Sequence, residues 1–335
     1  MRKTGYGKTP GSLSRFQNPT VFLPALGKSS LKSAFPFKPE EAVAKIAILQ
    51  PPLFFLVLFF ISLPLSCASI SPLATPPDSF PLRAAVPGEL TPQWEAFAPG
   101  IDYFDGRIGK PRLELWAIRV DLGNPDLEFV VNGADQEGEG PRGENSGIIP
   151  STTVSGFVRN YGCIAGINTN PFDPVSAMVG EDRTISGITL ADGILIAPPH
   201  PHFDALVFYN DGSAAIVNQA GLDAEALGSI RNAVGGFSAV LWGGVIPERL
   251  PSRKARHPRS AAGLSENGKT LYLLTIDGRR LGSVGATEEE IGVILTRLGA
   301  DDGLNFDGGG STALILRYPD GKIRPVNTPI HGMIP

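Results

Sequence analysis

The chain has 335 residues, 29 Lys and Arg against 33 Asp and Glu, 42% hydrophobic residues and two cysteines, enough for one large domain or two small ones. Residues 1–67 hold eight of the basic residues and only two acids, Glu40 and Glu41, which leaves 21 basic and 31 acidic residues and a net charge of −10 on residues 68–335. An acidic body repels phosphate backbones, so no nucleic-acid partner is expected, although a local basic pocket for one phosphate is compatible with it.

Residues 1–42 are basic and rich in Pro, Gly and Ser. Such a leader is long for a signal peptide, and a wrongly assigned start codon would explain it. The uncharged run at 53–63, Leu-Phe-Phe-Leu-Val-Leu-Phe-Phe-Ile-Ser-Leu, follows Lys45. It has the length of a signal-peptide core, roughly 7–15 residues, and falls short of the ~20 that span a bilayer. Leu63-Pro64-Leu65-Ser66-Cys67 resembles a bacterial lipoprotein cleavage box, with an atypical Pro64. Residues 1–67 therefore read as a basic leader plus signal segment. The expected location is outside the cytoplasm, secreted or held in the cell envelope by a lipid on Cys67. An ordinary signal peptide or uncleaved anchor, with Cys67 incidental, is the alternative. If Cys67 carries lipid, Cys163 has no disulfide partner. Lying among Ile164, Ala165 and Ile167, Cys163 reads as a buried small apolar residue.

Six prolines between Pro72 and Pro92 make residues 68–95 an extended tether, and the folded domain is expected over 96–335. Leu113 to Val120 and Leu127 to Val131 are β-rich runs around a turn at Asp121–Pro125, which predicts a hairpin-like pair. Residues 133–149 read as a mobile loop. They contain a formal G-x-G-x-x-G at Gly138–Gly143, but Pro141 interrupts it and no apolar helix follows. Strands are expected at Ile164–Ile167, Ala205–Tyr209, Ala214–Val217, Val240–Trp242, Leu271–Ile276, Gly303–Asp307 and Ala313–Arg317. A helix is predicted over 288–298, with Thr287 and Glu290 as a capping box, Ile291, Ile294, Leu295 and Leu298 on one face, and Gly299 as C-cap. Many strands and few helices predict a single α+β domain with a mostly antiparallel mixed sheet.

Four polar segments punctuate this framework. Asn168-Thr169-Asn170-Pro171-Phe172-Asp173 follows an apolar strand, where a sheet can fix side chains for a site; an Asx-rich turn is the bland alternative. Arg253-Lys254-Ala255-Arg256-His257-Pro258-Arg259 sets four cations in an acidic domain. A guanidinium suits phosphate through two parallel hydrogen bonds. Arg253, Lys254 and Arg256 read as a solvated loop, whereas Arg259 runs into the small residues Ser260–Gly263. Asp277-Gly278-Arg279-Arg280 puts a carboxylate at a strand end. Asp307-Gly308-Gly309-Gly310-Ser311-Thr312 puts another before three glycines, whose backbone N–H groups can converge on an anion. Two carboxylates are the usual requirement for glycosyl transfer to water.

In this order, the segments resemble the phosphodiester glycosidase family, over about Leu115 to Val326. Val120-Asp121-Leu122 and Asn124-Pro125 look like its opening, and Ile167-Asn168 like its I-N-G-G-F/Y-F element. His257 to Gly263 is similar to its H-P-R-T-A-I-G. Asp277-Gly278-Arg279, the helix after Thr287 and Asn305 to Thr312 match the remaining elements. Thr169-Asn170-Pro171 departs from the family's glycines. The resemblance implies hydrolysis of a sugar-1-phosphodiester, a carbohydrate substrate, without a cofactor or metal. Asp307 and Asp277 would share nucleophile or base and acid duties, with retaining and inverting chemistry both open. Arg259 would bind phosphate, with Arg279 among the substrate-binding residues. The Gly308, Gly309 and Gly310 amides with Ser311 and Thr312 would hold phosphate or sugar oxygens, and Asn168 would orient a sugar hydroxyl. Two other readings stand beside it: a non-catalytic surface module that binds anionic glycans, and a metal-dependent phosphodiesterase using His200, His202 and Asp307.

Overall fold

The run Thr270–Ile276 is apolar at nearly every position because both faces of that strand are covered. Alternate side chains point to opposite sides of a sheet. Leu271 and Leu273 enter one core, while Tyr272, Leu274 and Ile276 enter another. In the computed structural model this strand lies inside an eight-stranded sheet ordered Ala239–Leu241, Asp302–Asn305, Arg259–Leu264, Thr270–Ile276, Leu113–Asp121, Ile101–Ile108 and Ala84–Ala85, with Glu95–Ala98 also paired to Ile101–Ile108. The structure describes residues 90–133, 145–175, 178–248, 250–251 and 254–330, with the backbone of short strands at Ala44–Ile46 and Ala84–Ala85. The basic leader, the apolar run at 53–63, Cys67, most of the Pro-rich stretch, residues 134–144, Arg253 and His331 lie outside the described residues.

One core joins Ile118, Val120, Ala262 and Leu304 of the large sheet to Leu206, Ile216 and Val234 of a five-stranded antiparallel sheet. Leu314 and Leu316 join it from a three-stranded sheet of Ala165–Ile167, Leu314–Arg317 and Ile323–Pro325. On the opposite face, the helix Glu288–Leu298 packs Ile291, Ile294, Leu295 and Leu298 against Leu115, Ala117, Ala261, Leu274 and Ile276. Its ends are those predicted. Thr287 and Glu290 close a capping box, and Gly299 takes the left-handed conformation at φ 111°. The architecture is α+β, with mostly antiparallel sheets and few helices. Cys163 is fully buried.

Two expectations need correction. Leu127–Phe129 does not form a hairpin with Leu113–Asp121. Both edges of the longer strand are already occupied, by Ile101–Ile108 and Thr270–Ile276, so the chain after Asn124 turns away. Within the expected loop 133–149, Ile148 begins a strand, Ile148–Pro150, that pairs with Asp182–Ile185.

The fold predicts a measurable cost at the helix–sheet contact. Leu295 is fully buried there, and Leu295→Ala is expected to lower stability by about 2–5 kcal/mol through lost burial and a residual cavity. Urea unfolding with a lower midpoint and unchanged slope is the expected result.

Candidate functional site

Asp302–Asn305 is an inner strand of the large sheet, while Leu314–Arg317 belongs to another sheet. Residues 306–313 therefore cross between sheets, and their backbone groups cannot all be satisfied by a ladder. Neighbouring segments supply the partners. Phe306 N donates to Ser260 O (2.9 Å), Asp307 N to Thr169 O (2.8 Å) and Gly309 N to Pro258 O (2.9 Å). Asn168 Nδ2 donates to Asp307 O (2.8 Å), and Asn168 Oδ1 accepts from Ala313 N (3.0 Å) and Ser260 Oγ (2.6 Å). Asn327 Nδ2 donates to Thr312 O (3.0 Å), and its Oδ1 accepts from Leu314 N (2.9 Å).

The glycines are required by this crossing. A Cβ on Gly308 would lie 2.5 Å from Pro258 O, and Gly309 has φ +63° with the Arg279 guanidinium over the space a Cβ would take. Asp307 is half-buried. Its carboxyl accepts from Ser311 Oγ and Gly308 N–H, yet burial outweighs both and raises its pKa above the ordinary 3.8. Gly308 N–H thus serves Asp307 and Gly309 N–H serves Pro258, so the expected convergence of three glycine amides is largely spent inside the loop. Thr312 is buried, and its Oγ1 has no hydrogen-bond partner.

Arg279 is exposed and has φ 56°. Its guanidinium donates to His257 Nδ1 at 2.9 Å. A guanidinium cannot accept, so His257 carries its proton on Nε2 and presents a donor. Burial first, then the charges of Arg259 and Arg279, lower the His257 pKa below 6.5, which keeps the ring neutral near neutral pH. The Arg279–His257 pair thus lies against Gly309, two residues after Asp307.

Two predicted residues lie deeper. Arg259, expected at a phosphate, is 6% exposed. Its Nε donates to Ala286 O (3.1 Å), one terminal nitrogen donates to Ala255 O (3.2 Å), and the other stands 3.9 Å from the buried Glu288. Asp277, expected to share the chemistry, is 1% exposed. It accepts from Asn327 Nδ2 (3.1 Å) and Thr328 N (3.0 Å) and pairs with Arg280 at 2.7 Å. Arg280 also pairs with Glu114. Because Asn327 bonds both Asp277 and Thr312 O, Asp277 reaches the Asp307 loop through Asn327. Nothing in the order of residues marks Asn327, which follows a short strand in a Pro-flanked stretch. Arg256, read as solvated, forms a two-bond pair with Glu290 at 2.7 Å. His200 stacks on Phe203, with ring centroids 4.1 Å apart. Among the described residues no three His, Cys, Asp or Glu side chains gather as a metal site.

Burial raises the Asp277 pKa to about 6, against the opposing effects of Arg280, Asn327 and Thr328. A carboxyl raised in the folded state stabilises the fold most at low pH, and that contribution is lost as pH rises through about 6. Asp277→Asn is therefore expected to flatten the pH dependence of unfolding free energy between pH ~4 and ~6. Denaturation at several pH values checks this.

Comparison with known proteins places this geometry in context. A crystal structure of a hypothetical protein from Synechocystis aligns with TM-score 0.51 and 14% identity, over 70% of this chain and 61% of that one. The zebrafish N-acetylglucosamine-1-phosphodiester alpha-N-acetylglucosaminidase catalytic domain, auto-inhibited by its pro-peptide, aligns with TM-score 0.51 and 17% identity, over 72% of this chain and 82% of that one. These likenesses show the fold. The SPbeta prophage-derived uncharacterized protein YomE of Bacillus subtilis (strain 168) is 28% identical over 141 residues, 38% of this chain and 21% of that protein, so the chain spans about a fifth of that relative's length. Residues 161–333, more than half of the chain and including Asn168, Arg279, Asp307 and Asn327, match the family described as phosphodiester glycosidase. The chain belongs to the phosphodiester glycosidase family.

Proposed function

We propose that the protein is an exported hydrolase that cleaves sugar-1-phosphodiesters and releases the free sugar from envelope or extracellular glycoconjugates. The observation that carries this reading is the half-buried Asp307 carboxyl on a glycine loop whose Gly309 faces the Arg279 guanidinium, itself bonded to His257. Arg279 is the phosphate ligand in this account, because its guanidinium is exposed while that of Arg259 is engaged below. His257 donates to the same phosphate through Nε2. Asp307 attacks the anomeric carbon or activates the water that does. Its raised pKa brings its basicity closer to that of a useful general base. A phosphodiester leaving group is a weak base, so charge stabilisation by Arg279 takes the place of a strong general acid. Asp277 and Asn168 act as positioning residues, through the loop that carries Asp307. Asn168 retains one Nδ2 hydrogen for a substrate hydroxyl. The signal-like run at 53–63 supports export, and Cys67 is the lipid attachment point in the envelope-bound form.

The burial of Asp277 also favours a second reading. With one open carboxylate, the same pocket could bind anionic glycans without turning them over. Incubation of the full chain with a panel of α-linked sugar-1-phosphodiesters, GlcNAc first, separates the two. The hydrolase releases free sugar. Arg279→Ala is expected to lower turnover by about 10²–10³-fold, and Asp307→Ala by about 10²–10⁴-fold. Binding without turnover, retained in Asp307→Ala, would replace the hydrolase by the glycan-binding module.

A further inference from the structure

Residues 236–238 make a second crossing between sheets, from Ile230–Gly235 of the five-stranded sheet to Ala239–Leu241 of the large one. This crossing is bonded to the strand end that leads into Asp307. Phe237 N donates to Asn305 O (2.8 Å), and Asn305 N donates to Ser238 O (3.0 Å). Gly236 permits the approach, since a Cβ there would stand 2.7 Å from Asn305 O. Phe237 begins a row of aromatic rings that the Asp307 site as described does not use. Its ring meets Phe203 edge-on, with centroids 5.5 Å apart and planes at 82°. Phe203 is stacked on His200 at 4.1 Å, and His202 lies 5.7 Å beyond His200. Phe237, Phe203 and His200 are half-buried and His202 is exposed. Among the described residues, Phe203 and Phe237 belong to none of the four hydrophobic cores. The row is nevertheless fixed. Asp204 N donates to Phe237 O (3.2 Å), the buried Gln219 donates through its N–H to Phe203 O (3.0 Å), and its Oε1 accepts from His200 N (2.8 Å).

Aromatic rings that serve only the fold belong in a core, whereas apolar groups gathered at the surface mark binding grooves. Continuity with the Asp307 loop selects the occupant. A pyranose carries hydroxyls at its rim and C–H groups on its faces, and the negative π face of an aromatic ring attracts such polarised C–H groups. Arg279 lies against Gly309, two residues after Asp307, while Phe237 is bonded to Asn305, two residues before it. We propose that Phe237, buttressed by Phe203 and His200, is the platform on which the sugar ring of the ligand stacks. A phosphate at Arg279 and a ring at Phe237 then set the anomeric carbon between them, at Asp307. The platform takes a C–H face rather than a pattern of hydroxyls. The choice of a sugar as its ligand rests on the reading of Asp307 as acting at an anomeric carbon.

Saturation-transfer NMR of the full chain with the methyl α-glycosides of N-acetylglucosamine, glucose and mannose tests the proposal. None of the three carries phosphate, so sugar binding is read apart from turnover. At least one is expected to bind saturably, with transfer strongest to the protons of one ring face. Phe237→Leu keeps an apolar side chain but removes the ring, and is expected to weaken that glycoside by about 3–10-fold. Phe237→Tyr keeps the ring and is expected to retain the affinity of the unaltered chain. Unchanged amide signals over Thr270–Ile276 check that both variants fold. A side chain with only a packing role would leave Phe237→Leu binding like the unaltered chain, and that result would overturn the proposal. So would failure of all three glycosides to bind. Sugar binding that depends on the Phe237 ring, together with no turnover of any sugar-1-phosphodiester, would remove the hydrolase reading and leave the platform standing.

Discussion

Eight residues that cross from one sheet to another carry Asp307, and the fold depends at this point on hydrogen bonds that no ladder supplies. The donors and acceptors come from four places in the chain: Pro258 and Ser260, Asn168 and Thr169, Asn327, and the loop's own glycines and Ser311. Buried peptide groups left unpaired would each cost on the order of 1–3 kcal/mol. Such a loop is therefore held in one conformation or not formed at all. The large sheet fixes Ser260, the three-stranded sheet fixes Asn168, and the two also share a hydrophobic core.

That constraint decides the electrostatics. A loop wedged between sheets half-buries the Asp307 carboxyl, and burial raises its pKa despite two hydrogen bonds from neighbours. The same packing buries His257 in part and sets Arg259 and Arg279 near it, and burial first, then their charges, lower its pKa. The loop's carboxyl of raised pKa is then accompanied by an imidazole of lowered pKa and an exposed guanidinium. Beneath them, Asp277, Arg280 and Glu114 form an ion network that reaches the Asp307 loop through the buried Asn327.

Much of the framework was legible from local signals. The helix Glu288–Leu298 announced itself through Thr287, Glu290 and Gly299, because caps act within one turn and their geometry is written in adjacent residues. The strand Thr270–Ile276 was legible from its continuous apolar run. Strand partners were less so. The turn at Asp121–Pro125 suggested a hairpin, yet pairing depends on which edges are already occupied, and those partners lie far away in sequence. Side-chain roles divide similarly. Asp307 and its glycines carried a local signature, whereas the depth of Asp277 and Arg259 depends on the helix, the 280–283 turn and the C-terminal segment closing over them. Asn168 stood out because it was polar at the end of an apolar strand. Its use as a clamp on the Asp307 peptide is a long-range fact. Asn327 carried no local mark.

The central claim is that the Asp307 loop is as firmly held as the sheets it joins. Native-state hydrogen exchange of the Phe306, Asp307 and Gly309 amides tests it most directly. The account predicts protection close to that of the Thr270–Ile276 amides, because these three amides are bonded to Ser260, Thr169 and Pro258 on the segments the loop packs against. Exchange of these three amides through low-energy local opening, while Thr270–Ile276 stays protected, would contradict it.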